Sequence, residues 1–279
     1  MPLPVLPLVL LAAVFHAAWN ALLKASENPL ALAARAVTLG TIASLPPVAV
    51  AWLVNGRPGL PPAGWGLAVL SGLFELAYFI FLSEGYRRGD LSVVYPIARG
   101  TAPLLAVLVG LILLGERLHV TAAVGVVCLI IGIWTVRRPA NAGSALTLAL
   151  LTGVLIAAYT SLDRIGVRLG PPWLYGWLLW FFGALFLLAF TTIRRVPGAR
   201  LTGELATSSL VAVLMTAAYF MILFALSVAP LAIIAPLRES AVVLVTAWGI
   251  WRLGERRGAW VRLAGAVAIV AGIALLTVG

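Results

Sequence analysis

The sequence has few charged residues and almost no cysteine. Only 10% of its 279 residues are charged, whereas soluble domains have about 25%, and 63% are hydrophobic. Its single cysteine, Cys128, excludes a disulfide scaffold and the usual zinc and iron–sulfur ligand sets. A compact soluble domain of this size could not bury this many apolar side chains. The composition therefore predicts an integral membrane protein.

Other absences narrow the class further. The alternating apolar pattern of barrel strands is missing, and the apolar runs are continuous, so the membrane-spanning segments should be helices. No Gly-x-x-x-x-Gly-Lys-Ser/Thr loop is present, which argues against ATP as the driving force. The first apolar run has no basic residue before Lys24 and no polar domain after it, so it does not resemble a cleaved signal peptide.

The apolar runs are long enough for ten membrane-spanning helices. A helix needs about 20 mostly apolar residues to cross the hydrocarbon core. The runs that meet this length are 3–23, 31–54, 64–84, 91–114, 119–136, 145–165, 172–193, 206–228, 231–252 and 259–278.

The positions of the basic residues predict the orientation of these spans. Thirteen of the 19 Lys and Arg residues lie in or beside the connections that follow the first, third, fifth, seventh and ninth spans. Four lie on the opposite side: Arg57, Arg117, Arg164 and Arg168. Because basic residues are retained in the cytoplasm, both chain termini should face away from it. The net charge of +10 then reflects topology and contact with anionic lipid, and we expect no nucleic-acid partner.

The two halves of the chain resemble each other. Residues 16–24 align with residues 156–164 at an offset of 140. Further along, Arg99 and Arg238 each follow a proline and precede the glutamate of a Leu-Gly-Glu-Arg tetrapeptide by 17 residues. We interpret the two Gly-Glu-Arg turns, which lie at span ends, as structural.

This duplication predicts a first repeat over 1–138 and a second over 139–279. Five spans per repeat place the second copy upside down relative to the first, an arrangement that recurs in secondary transporters. Ten spans in two such repeats, each with a proline-containing helix, Gly-Glu-Arg and a final apolar helix, resemble the EamA-type family of the drug/metabolite transporter superfamily. The resemblance implies an all-α protein with a central cavity that moves small metabolites, often outward.

Four charged side chains fall well inside the spans: Glu75, Arg99, Arg238 and Glu239. A charge at mid-membrane costs roughly 2.5–3.5 kcal/mol on insertion scales, so such residues usually face the bundle interior and mark a pathway. Glu75 could bind a substrate ammonium group or carry a proton, or it could form a fixed ion pair with one arginine. The planar guanidinium of Arg99 or Arg238 could bind a carboxylate or phosphate. Alternatively, these arginines pair with Glu239 or Glu75, or cap carbonyls freed by the nearby prolines.

Adjacent residues on a helix point roughly 100° apart. We therefore expect at least one of Arg238 and Glu239 to link helices.

In the first span, His16 and Asn20 are one turn apart and either line the cavity or hydrogen-bond across a helix contact. Aromatic residues of both repeats complete an apolar wall. The predicted substrate-binding set is His16, Trp19, Asn20, Glu75, Tyr78, Tyr95, Arg99, Tyr159, Trp180, Tyr219, Arg238 and Glu239.

These features predict a secondary transporter of the bacterial-type inner membrane. We expect it to export small zwitterionic metabolites such as amino acids by alternating access, with protons as a candidate coupling ion. One alternative is an anionic, phosphorylated or amphipathic cargo. The other is a structural or lipid-acting membrane protein. No metal is expected at His16, since no second ligand is suitably spaced, and no cofactor is expected. A lipid-acting enzyme would need a nucleophile–base pair or a metal cluster, and neither Asp163 nor His119 has an evident partner in the sequence, so we predict no enzyme.

Overall fold

The computed structural model describes residues 5–88, 91–136, 145–201, 203–241 and 259–278. These residues form helices and their connections, and no strand occurs among them. The helices are α1 (Val5–Ala25), α2 (Pro29–Val54), α3 (Pro62–Arg88), α4 (Leu91–Leu108), α5 (Val120–Val136), α6 (Ala145–Gly166), α7 (Pro172–Ile193), α8 (Leu205–Val228), α9 (Leu231–Arg238) and α10 (Ala259–Val278). Helix α4 continues as a π-helical turn, Val109–Leu113, and α9 as a 3₁₀ turn, Glu239–Ala241.

The all-helical architecture is confirmed for the described residues. Six helices, α1, α2, α3, α6, α7 and α8, are long and apolar enough to cross a bilayer. Shorter apolar helical stretches cover Ile97–Leu113, Val120–Thr135 and Leu263–Leu276. The predicted ninth span is described only as far as residue 241. The count of ten spans and the inversion of the second repeat therefore stay predictions.

The helices of the two halves pack against each other in matching pairs. Helix α1 packs on α8 as α6 packs on α3, and α2 contacts α8 as α7 contacts α3. Helix α4 also packs on α6, and further contacts join equivalent helices of the two halves: α2 with α7, α4 with α9, and α5 with α10. Most of these contacts agree with two related repeats that pack about a two-fold axis, and that relation stays a prediction.

Helices α5 and α10 form a closely packed pair through glycine. A Cβ atom added at Gly132 would stand 2.6 Å from the carbonyl oxygen of Gly265, and one at Gly125 would stand 2.9 Å from that of Gly272. Small residues let membrane helices approach backbone to backbone, where van der Waals packing holds them together. The polar residues described below belong to other helices and to the 3₁₀ turn after α9, which α5 contacts.

Candidate functional site

A buried group of charges is built where α9 ends. The α-helix stops at Arg238, two residues after Pro236, and Glu239 begins the 3₁₀ turn. Arg238 and Glu239 are each 3% exposed. Glu239 Oε1 accepts a hydrogen bond from Arg99 Nη1 of α4 at 2.9 Å and lies 3.6 Å from Arg238 Nε. Glu239 therefore links two helices, as expected for one of this adjacent pair, and it faces two guanidiniums.

The guanidinium of Arg238 has hydrogen-bond donors that a ligand could use. In the part of the chain that the structure describes, its Nε and Nη1 atoms have no hydrogen-bond partner. A buried donor without an acceptor costs about 1–3 kcal/mol, and more when it is charged. A ligand with acceptor oxygens would recover this free energy, and the planar fork of a guanidinium fits a carboxylate.

Glu75 lies on α3 and is 6% exposed. Its carboxylate is within electrostatic range of Arg238 and Asp163. No hydrogen bond or ion pair to it is formed by the residues that the structure describes. Helix α7 passes close by at Gly183, where a Cβ atom would stand 3.3 Å from Glu75 Oε2. The glycine therefore leaves space beside an acid whose charge no cation contacts directly.

Asp163 of α6 is the most deeply buried acid of this region, and the sequence analysis missed it. Its side chain is completely inaccessible to solvent. Asp163 Oδ1 accepts hydrogen bonds from Ser71 Oγ at 2.6 Å and from the Tyr175 hydroxyl at 2.9 Å, and Oδ2 accepts one from the Tyr219 hydroxyl. These partners were not evident in the sequence, because the donors come from α3, α7 and α8.

Aromatic rings form a continuous row beside these charges. The ring centroids of Tyr78 and Tyr159 are 5.8 Å apart, those of Tyr159 and Tyr219 6.1 Å, and those of Trp180 and Tyr219 6.1 Å, all in edge-to-face contact. Such contacts are favourable arrangements of aromatic pairs. The indole Nε1 of Trp180 has no hydrogen-bond partner among the described residues. All four rings of the row are buried, and Tyr159 is within electrostatic range of Glu75 and Arg238.

The polar stripe of α1 is held largely by its own helix. Trp19 Nε1 donates to His16 Nδ1 at 2.9 Å, and Asn20 Nδ2 donates to the His16 carbonyl at 2.8 Å. Because Nδ1 accepts, His16 is in its neutral form with the proton on Nε2. His16 Nε2 and Asn20 Oδ1 have no partner in the described part of the chain. His16 is also within electrostatic range of Arg99 and Arg238, which places the stripe beside the charges.

Glu116 of the first Gly-Glu-Arg turn forms a separate cluster at one end of the bundle. Its carboxylate accepts hydrogen bonds from the backbone N–H groups of Leu231 and Ala232, at 2.8 and 2.9 Å, and from Arg164 Nε at 2.9 Å. Arg164 also donates to the carbonyl of Leu226. Gly115, with φ +63°, makes the turn that aims this carboxylate. We call this group the Glu116 clasp; its contacts agree with the structural role predicted for the turn.

The structure brings most of the predicted residues into one network. Ring contacts, hydrogen bonds and electrostatic proximity connect all of them except Tyr95, whose side chain lies outside the described residues. The second Gly-Glu-Arg turn, at 254–256, also lies outside them. Whether the network borders an open chamber stays a prediction. Among the described residues, no group of three or more His, Cys, Asp or Glu side chains could hold a metal ion.

Comparison with known proteins identifies relatives of both halves. The model of a family described as the EamA-like transporter family matches residues 3–138 and again residues 143–278. A solved crystal structure superimposes with a TM-score of 0.73, covering 99% of this chain and 96% of the other at 18% sequence identity, which shows a shared fold. No curated protein matches the chain.

Proposed function

Because the chain belongs to the EamA-like transporter family, whose members are membrane transporters and not enzymes, we propose that it carries small zwitterionic metabolites, such as amino acids, across the membrane. The observation that carries this proposal is a pair of buried, opposite charges that the described residues leave available. Among the residues that the structure describes, Glu75 has no ion pair, and Arg238 has two donors without acceptors. Charges inside a membrane protein usually mark the path of a substrate or ion.

A zwitterion would provide a counter-charge for each of the two side chains, Glu75 and Arg238. Its carboxylate would accept hydrogen bonds from Arg238, and its ammonium group would donate to Glu75. The two ligand charges cancel, so the buried region gains two ion pairs and no net charge. This matters because desolvating a charge costs several kcal/mol unless the charge is paired and hydrogen-bonded. The aromatic row of Tyr159, Tyr219 and Trp180 would contact an aliphatic or aromatic substrate side chain.

The pairing of Arg99 favours a zwitterion over a phosphorylated or otherwise anionic cargo. Such a cargo would use Arg99 and Arg238 together. Arg99, however, already donates to Glu239 at 2.9 Å. One guanidinium with available donors suits a single carboxylate.

We further propose secondary transport by alternating access, with net export across a bacterial-type inner membrane. Inverted repeats around a central site support alternating access, because the halves can exchange conformations. The matching contacts between the halves of this chain agree with that mechanism. The distribution of Lys and Arg supports termini on the non-cytoplasmic side.

The decisive experiment is a binding screen followed by counterflow. The purified protein in detergent is tested for thermal stabilisation by each of the twenty proteinogenic amino acids, and those that stabilise it are assayed for counterflow in liposomes. Glu75→Gln is compared with Glu84→Gln, a matched variant of the same helix whose carboxylate pairs at the surface with Arg87 and Arg88.

We expect Glu75→Gln to weaken binding by roughly 30-fold or more, because removing one partner of a buried charge pair costs about 2–5 kcal/mol. Glu84→Gln should behave as the wild-type protein. Stabilisation by none of the twenty amino acids, or stabilisation that Glu75→Gln leaves unchanged, would contradict the proposal.

A further inference from the structure

A groove on the surface of the bundle lies between α2, α3 and α7. Its volume is about 440 Å³, which is within the usual range for sites that bind small molecules. It is built where α2 ends and where α3 and α7 begin, and none of the residues that line it belongs to the central network. Its apolar lining includes Leu45, Val48, Trp52, Trp65, Leu174 and Trp177. The ends of spanning helices lie at the membrane–water interface, where tryptophan is enriched, so this groove opens at the level of the lipid headgroups.

Arg57, in the connection between α2 and α3, is the one charged residue among those that line the groove. Its Cζ atom lies 5.8 Å from the centroid of the Trp52 ring, a cation–π contact. The side chain is exposed, and no described residue forms a hydrogen bond or ion pair with its guanidinium. Arg57 is also one of four basic residues on the predicted non-cytoplasmic side, where membrane proteins have few. Its donors are therefore available beside an apolar groove.

The backbone holds Arg57 in place. Its φ is +59°, in the left-handed region, and its N–H donates to the Trp52 carbonyl at 2.8 Å. The indole of Trp52 donates to the Pro58 carbonyl at 3.0 Å. Leu60 packs on Gly170 of the α6–α7 connection, where a Cβ atom would not fit. A residue other than glycine keeps a positive φ only where its surroundings fix it. The cation and the aromatic ring are thus positioned before any ligand binds.

We propose that this groove binds one phospholipid with a net negative headgroup. Arg57 donates to the lipid phosphate, and one acyl chain lies along Leu45, Leu174 and Trp177. The planar fork of a guanidinium matches a phosphate. An acyl chain that covers the apolar walls removes them from contact with water at the membrane surface. The inference goes beyond the proposed function and does not depend on which metabolite is carried.

The charge of the groove favours an anionic headgroup over a zwitterionic one. A cleft of about 490 Å³ at the opposite ends of the same three helices is lined by two acids and two bases: Glu27, Glu84, Arg87 and Arg194. Both charges of a zwitterionic headgroup would find a partner there. The groove beside Arg57 has no carboxylate in its lining, so the ammonium group of such a lipid would have no counter-charge.

The test compares lipids that share their acyl chains and differ in headgroup. Purified full-length protein, freed of lipid in detergent, is titrated with dioleoyl phosphatidylglycerol, with dioleoyl phosphatidylcholine and with inorganic phosphate. Native mass spectrometry counts the bound lipid molecules, and thermal unfolding measures stabilisation. We expect the most tightly held phosphatidylglycerol molecule to bind roughly 5- to 10-fold more tightly than phosphatidylcholine, because one arginine contacts its phosphate without a competing ammonium group. Inorganic phosphate should not stabilise the protein.

Two variants separate the cation from the groove. Arg57→Gln keeps the groove and should weaken phosphatidylglycerol binding roughly 5- to 10-fold, to the level of phosphatidylcholine. Ala49→Trp fills the groove, leaves Arg57 in place and should weaken the binding of both lipids. Arg168→Gln is the matched control and should bind lipid as wild type does, because Arg168 is an exposed arginine of the same predicted side that does not line the groove.

Four outcomes would overturn the inference. The first is equal binding of the two lipids by the wild-type protein, and the second is an equal effect of Arg57→Gln and Arg168→Gln. The third is stabilisation by inorganic phosphate as strong as that by phosphatidylglycerol, which would indicate a site for a free anion. The fourth is a dimer of the wild-type protein that Ala49→Trp abolishes, which would indicate that a second copy fills the groove. If Ala49→Trp does not fold, Arg57→Gln still decides, since the Arg57 side chain is exposed.

Discussion

The Glu116 clasp and the Glu75–Asp163 site both contain buried acids, but the partners of these acids differ. Glu116, whose side chain is 7% exposed, faces one guanidinium and two backbone N–H groups at the start of α9. Asp163 is fully buried and accepts from three neutral hydroxyl groups, and Glu75 has no direct partner among the described residues. Glu116 thus has a guanidinium in direct contact, while no described cation contacts Glu75 or Asp163 directly.

On this difference we base the proposal that Glu116 has a structural role and Glu75 a functional one. A buried ion pair with all its hydrogen bonds made has nothing to gain from a ligand, and breaking it leaves a costly unpaired charge. An acid without a fixed cation can gain a proton or an ammonium group and lose it again. Burial alone therefore does not identify the site; the identity of the partners does.

The largest expected effect comes from breaking the Glu116 clasp. Glu116→Ala leaves Arg164 without its counter-charge and two backbone donors of α9 without their acceptor. We expect a loss of about 3–5 kcal/mol in the free energy of unfolding, the usual cost of breaking a buried pair from one side. Denaturant titration of the protein in detergent micelles measures it.

Glu84→Ala is the control for this loss. Glu84 also accepts from two arginines, but at the surface, where the Arg87 side chain is 73% exposed and ion pairs contribute about 0–1 kcal/mol. Equal destabilisation by Glu116→Ala and Glu84→Ala would show that the clasp does not hold the bundle together.

Much of the fold follows from features that one sequence carries by itself. Apolar runs of sufficient length predict the helices, and their ends agree with the structure within a few residues for α1, α3, α6, α7 and α8. The duplication correctly indicated that the chain consists of two related halves. What the sequence could not settle was the choice among charge partners, such as Arg99 with Glu239 or with Glu75, since this depends on which helix faces which.

Asp163 was missed for a physical reason. It lies near the end of its predicted span beside Arg164, where a charged side chain costs little free energy because it can reach the membrane surface. Its hydroxyl donors come from other helices. One signal was available in the repeat. The residue equivalent to Asp163 in the first half is the buried Leu23, so an acid stands where the duplication has an apolar residue. A position at which the two repeats differ in charge, as here, is a candidate for a role that only one half has.

A smaller effect is expected when a neutral donor is removed from Asp163. Tyr175→Phe takes away one of its three hydroxyl groups at a completely buried position. We expect a loss of about 1.5–3 kcal/mol in the free energy of unfolding, the range for hydrogen bonds to charged groups. The same denaturant titration measures it.

Thr191→Val on the same helix is the matched control, because its buried hydroxyl donates only to carbonyls of its own helix. A neutral bond of that kind contributes about 0.5–1.5 kcal/mol. If Tyr175→Phe costs no more than Thr191→Val, the hydroxyl groups do not stabilise a charged Asp163, and the contrast with the clasp loses its basis.

The smallest effect should come from the aromatic row, where no charge is involved. Trp180→Phe keeps an aromatic ring against Tyr219 and removes an indole N–H that has no partner among the described residues. We expect stability to change by less than about 1.5 kcal/mol, the upper range for an aromatic pair beyond its buried area. The relative affinity for L-phenylalanine and L-leucine should nevertheless change, since Trp180 would contact the substrate side chain and not its charges. Equal changes in both affinities would instead indicate that Trp180 acts on the charged groups through Tyr219, and the row and the Glu75–Asp163 site would then have to be treated as one unit.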